Sequence, residues 1–91
     1  MSYRMKVPNG SYTVKLHFAE MAKAAAGQRV FNVAMEGASE LQSFDILSEV
    51  ARDTALVKSF TVNVTDGVVD IDFTRGGVDV PTINGIEVVA N

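Results

Sequence analysis

Tyr12, Val14, Leu16 and Phe18 alternate with Thr13, Lys15, His17 and Ala19. A period of two sends one set of side chains to a core and the other to solvent, the pattern of a half-buried strand. Phe60, Val62 and Val64 repeat it, as do Phe31, Val33 and Met35, and as do Val69, Ile71 and Phe73 against Asp70 and Asp72. The spacing predicts about seven strands, over residues 3–7, 11–19, 29–36, 41–47, 55–64, 68–74 and 83–89. Between them lie turn signals at short intervals, the mark of a sandwich or barrel. These are Pro8-Asn9-Gly10, Glu36-Gly37, Thr65-Asp66-Gly67 and Arg75-Gly76-Gly77. Asn-Gly suits the left-handed conformations of a tight hairpin, and Thr65-Asp66-Gly67 is expected to join 59–64 to 68–73 as a hairpin. Residues 20–26 are Ala-rich and predict a helical turn stopped by Gly27. Residues 47–53 are helix-compatible but too few to stand alone. The five Phe fall one per strand, which fits a sandwich core rather than an aromatic binding strip.

Length and charge narrow the reading. The 91 residues, 47% of them apolar, suit one domain spanning 1–91, read as an internal or truncated piece of a larger protein. Eight Lys and Arg against eleven Asp and Glu leave a net charge of −3, which disfavours nucleic acid as a partner. With no Cys, disulfides, thiol catalysis and Cys-based zinc sites are excluded. No apolar run approaches the ~20 residues of a spanning helix, so no membrane partner is expected. No basic-then-apolar leader follows Met1.

The polar residues offer little catalytic chemistry. Asp70 and Asp72 share one strand face, roughly 7 Å apart by strand geometry. Paired carboxylates can hydrolyse glycosides, but these alternate with apolar residues and read as a solvated face. Asp66 with these two offers calcium ligands, yet no clustered carboxylate loop is present and no metal is expected. His17, the sole histidine, lies on the outward face beside Lys15 with no Ser or Cys motif near it. Gly76-Gly77 lacks the context of a phosphate loop. Among aromatic residues able to stack on a sugar, Trp is absent, Tyr12 points to the core by alternation, and Tyr3 is left as an exposed residue.

Four segments then form an ordered set. Pro8-Asn9-Gly10-Ser11-Tyr12-Thr13-Val14-Lys15-Leu16-His17-Phe18-Ala19-Glu20 is followed by Gly27-Gln28-Arg29-Val30-Phe31-Asn32-Val33, by Phe44-Asp45-Ile46, and by Asp79-Val80-Pro81-Thr82-Ile83-Asn84-Gly85-Ile86. This order resembles the malectin-like carbohydrate-binding modules over nearly the whole chain. The resemblance implies an all-β, antiparallel sandwich of jelly-roll type that binds sugars, glucose-containing oligosaccharides in malectin itself, without cleaving them and without a cofactor. It also implies an extracellular or secreted protein, since relatives are appended to secreted glycoside hydrolases or form receptor ectodomains.

The family's binding loops fall on Asp79, Lys23, Met21 and Arg75, the expected ligand-binding residues. The family's aromatic pair falls on Ala22 and Lys23, neither of which stacks on a sugar ring, and the usual N-terminal portion of the domain is expected to be missing. On the residues alone, Asp79 remains open between a sugar ligand and a turn residue accepting a backbone N–H. The alternative function is a structural or self-associating sandwich that has lost the sugar site, with open sheet edges pairing two copies as a homodimer.

Overall fold

The computed structural model describes residues 1–23 and 25–91. Among them are seven strands: β1 (Ser2–Lys6), β2 (Gly10–Phe18), β3 (Val30–Met35), β4 (Ala38–Phe44), β5 (Leu56–Val64), β6 (Val68–Val78) and β7 (Gly85–Ala90). One sheet has the order β1-β6-β3-β4 and the other β5-β2-β7, with every pairing antiparallel. This is the expected antiparallel β-sandwich.

The core forms where the alternating apolar sets of the two sheets meet. Tyr12, Val14, Leu16, Phe18, Val62 and Val64 come from one sheet, and Phe31, Val33, Met35, Val69, Ile71 and Phe73 from the other. Phe18, Phe31 and Phe44 pack with ring centroids 5.0–5.9 Å apart in tilted or edge-on geometry, the arrangements aromatic quadrupoles favour. Tyr12 is buried as expected, and its hydroxyl donates to the Pro8 carbonyl oxygen at 2.5 Å.

Three turns differ from their expected roles. Thr65-Asp66-Gly67 does not close a hairpin, because β5 pairs with β2 while β6 pairs with β1 and β3 in the opposite sheet. It is an arch between layers, and so is the Pro8-Asn9-Gly10 connection from β1 to β2. Crossing lets consecutive strands turn their apolar faces to one core from opposite sides. The two arches brace each other through Val7 N–H to the Gly67 carbonyl at 3.0 Å and Gly67 N–H to Asn9 Oδ1 at 2.8 Å.

Glu36-Gly37 does close a hairpin, with both residues at positive φ (51° and 79°), between Met35 and Ala38. Arg75-Gly76-Gly77 lies inside β6, where the register against β3 slips between Phe31↔Arg75 and Val30↔Val78. At Gly76 the chains come so close that a Cβ would meet the Val30 carbonyl oxygen at 2.9 Å and the Phe31 Cα at 3.0 Å. The expected helical turn over 20–26 is absent from the described residues, Ala24 lying outside them. Past β4, Asp45 accepts from Leu47 N–H and starts a 3₁₀ turn, Ile46–Ser48.

Candidate functional site

The two-layer topology places the connections β2–β3, β4–β5 and β6–β7 at one end of the sandwich. Their hydrogen bonds converge on Glu20, the residue two beyond β2. Glu20 is only 2% exposed, a rare state for a carboxylate unless it is paired. Its Oε1 accepts from the N–H groups of Ala22 (3.1 Å) and Lys23 (3.2 Å), and its Oε2 accepts from Arg29 Nε at 2.6 Å. Its carbonyl oxygen accepts from Asp53 N–H in the β4–β5 connection at 2.9 Å. Within the stretch expected to turn as a helix, residues 20–23 thus fold around a carboxylate, whose bonds to the backbone compete with helical ones. Burial pushes the Glu20 carboxyl up, but Arg29 and the two N–H donors outweigh it and hold the group below the ordinary Glu range.

Arg29 carries the connection to the β6–β7 loop, its Nη1 donating to the Val80 carbonyl oxygen at 2.7 Å. One residue earlier, Asp79 adopts φ 57°, a left-handed conformation that Asp tolerates. Its Oδ1 accepts from Val80 N–H at 2.7 Å, and its Oδ2 forms an ion pair with Lys23. The Lys23 hydrogen bond first, and Val80 N–H second, hold the Asp79 carboxyl below the usual Asp range. Asp79 therefore fills the turn role and still presents a charged group at the surface.

Of the four residues expected to bind ligand, the structure brings three to this end. Lys23 and Asp79 touch each other. Met21, two residues before Lys23 on the same loop, is 58% exposed, with its carbonyl oxygen held by Arg52 Nη2 at 2.8 Å. Arg75 lies in β6 opposite Phe31, and no ion pair joins it to this group among the described residues. Glu20 and Arg29 organise the site but were not picked out as candidates. The available signal was their position inside two of the four quoted segments, Ala19-Glu20 and Gln28-Arg29.

A second group of acids lies at the opposite end. Glu36, Asp66 and Asp70 have carboxylate oxygens within 4.8 Å of one another, the one such set among the described residues close enough to share a cation. Asp72, expected in such a group, instead accepts from Ser2 Oγ at 2.6 Å. Asp70 forms an ion pair with Arg4 at 3.0 Å, while Glu36 Oε1 is buried without a hydrogen bond. Burial, then the charges of Asp66 and Asp70, push the Glu36 carboxyl above its ordinary range.

Comparison with known proteins places this architecture. The family model described as the malectin domain matches residues 1–86. A probable leucine-rich-repeat receptor-like serine/threonine-protein kinase of Arabidopsis thaliana is 35% identical over 82% of this chain, and receptor-like protein 4 of the same plant is 35% identical over 97%. The chain spans only 8% and 15% of those two proteins. The ectodomain of ANX1 from A. thaliana superposes with a TM-score of 0.87 at 19% identity, over 99% of this chain and 27% of that one. A Bacteroides uniformis β-glucuronidase superposes with a TM-score of 0.86 at 22% identity, over 99% of this chain and 10% of the enzyme.

Proposed function

The chain belongs to the malectin domain family, and from that membership we propose that it binds carbohydrate, without catalysis, at the end of the sandwich built around Glu20. The carrying observation is the contact of Lys23 with Asp79 across two loops that Glu20 and Arg29 hold in place. A sugar's hydroxyls need donors and acceptors fixed beforehand, because ordering flexible loops on binding subtracts from affinity. The Asp79 carboxylate has lone pairs beyond those used by Lys23 and Val80, and the Lys23 ammonium has further protons to donate. Met21 supplies an exposed apolar surface for the C–H face of a ring where Ala22 offers none. Gluco-oligosaccharides are the ligand class favoured by the family resemblance, and an extracellular setting is favoured by the solved ectodomains that share the fold.

The test is calorimetric titration with gluco-oligosaccharides of the parent protein and of Asp79→Ala. The expected result is loss of binding heat with a dispersed, native spectrum retained. Undiminished affinity in the variant would place the ligand elsewhere. A second function, self-association, is favoured by one observation: Tyr3 and Met5, which face the core side of β1, are 42% and 46% exposed.

A further inference from the structure

The two sheets differ in width, four strands against three, and the mismatch falls at β1. Tyr3 and Met5 sit opposite Ile71 and Val69 in β6, and Tyr3 meets Phe73 edge-on at 5.8 Å, so both face inward. Nothing in the three-stranded sheet covers them, and every residue of β1 is exposed. Between β1 and the other layer's edge strand, β7, lies a groove of about 270 Å³ lined by Tyr3, Met5, Val69, Ile71, Ile86 and Val88. Each of these strands pairs on one side only, β1 with β6 and β7 with β2, leaving a row of backbone N–H and C=O groups free on the other.

We infer that this face is an interface between two copies of the chain, in which β1 of each copy pairs with β7 of the other. The interface rests on the self-association reading and is independent of the sugar site. A two-fold axis through the groove makes both contacts at once and joins each four-stranded sheet to a three-stranded one. Inward residues meet inward residues: Tyr3 and Met5 of one copy extend the layer of Ile86 and Val88 of the other.

The outward face selects this pairing by charge. β1 presents Arg4 and Lys6 outward, while β7 presents Glu87 on the face opposite Ile86 and Val88. Pairing β1 with a second β1 sets cations against cations, and pairing β7 with β7 brings two acids together. Only the mixed pairing sets Lys6 and Arg4 near Glu87, and opposite charges across strands stabilise while like charges destabilise. Arg4 is already engaged with Asp70 and Glu87 shares its Oε1 with His17 Nε2 at 2.5 Å, which leaves Lys6 as the freer cation facing a Glu87 side chain that is still 54% exposed.

Sedimentation equilibrium on the 91-residue protein, from micromolar to millimolar concentration, tests the arrangement. A monomer throughout overturns self-association itself. If a dimer forms, Glu87→Lys is expected to weaken it about tenfold or more, and Lys6→Glu combined with Glu87→Lys to restore it. Met5→Lys, at a position exposed in the single copy, is expected to abolish the dimer while the fold persists, and it serves as the check should Glu87→Lys fail to fold. A dimer indifferent to Met5→Lys and to the charge exchange overturns this interface while leaving self-association standing.

Discussion

Arg29 reaches back nine residues to Glu20, and the 2.6 Å contact between Nε and Oε2 is almost sealed from solvent on both side chains. The same guanidinium donates forward to Val80. One residue pair thus couples the loop bearing Met21 and Lys23 to the loop bearing Asp79. Breaking it by removing one partner leaves the other charge buried and unpaired, and that cost exceeds the value of an exposed ion pair. Glu20→Ala is expected to lower stability by about 3 kcal/mol in urea unfolding. Its amide spectrum should change at residues 79 and 80 as well as beside the mutation.

Binding is expected to withstand acid through the ordinary carboxylate range. Lys23 and Val80 hold the Asp79 carboxyl below the ordinary Asp range, so the ionised form persists as pH falls through that range. A depressed carboxyl contributes above its unfolded value and loses that contribution as pH drops through its folded value. Sugar affinity is therefore expected to stay level from neutrality down through the usual carboxylate range and to fall only below it. Lys23→Met moves the loss to higher pH, which calorimetry across a pH series measures.

Glu36 has the opposite sign. Burial, with Asp66 and Asp70 adding to it, raises its carboxyl in the folded state, so the native protein takes up a proton there before the unfolded chain does. Stability associated with this group falls as pH rises from the ordinary Glu value through the raised one. Glu36→Gln is expected to stabilise the protein at pH 7 and to flatten that part of the pH profile. Glu36→Asn should stabilise it further, by about 0.5–1 kcal/mol, because Asn-Gly suits a two-residue turn with both φ values positive.

Gly76 isolates a backbone requirement from any role in turning the chain. A methyl group there would meet backbone atoms of Val30 and Phe31 at 2.9–3.0 Å, and those atoms belong to paired strands that cannot give way cheaply. Gly76→Ala is expected to destabilise by about 1–3 kcal/mol, the cost of overpacking a close contact. Gly77→Ala tests φ 112° with open space around it, and comparing their unfolding midpoints separates steric crowding from backbone strain.

The strands and their inward faces were legible because burial follows the alternation of Tyr12, Val14, Leu16 and Phe18 directly. The layer to which each strand belongs was not. Pro8-Asn9-Gly10 and Thr65-Asp66-Gly67 have the composition of hairpin turns, and the same residues serve an arch between sheets, so the pairing depends on strands far apart in the chain. Gly76 carried the local signal of a turn, whereas its cause is a neighbour some 45 positions away. At the site, Asp79, Lys23 and Met21 were reached through the family resemblance, and so was Arg75, which lies in β6 opposite Phe31. Glu20 escaped because nothing local marks a buried carboxylate: its burial depends on Arg29 and on two N–H groups in a loop that forms around it.

Sugar binding at the loop cluster around Glu20 is the function proposed for this domain. An NMR titration of labelled protein with a panel of gluco- and other oligosaccharides tests it most directly. Saturable amide shifts are expected at residues 21–23 and 78–80, with those in the 64–70 region at the other end unmoved. A well-dispersed spectrum that stays still across the whole panel, or shifts confined to another face, would contradict it.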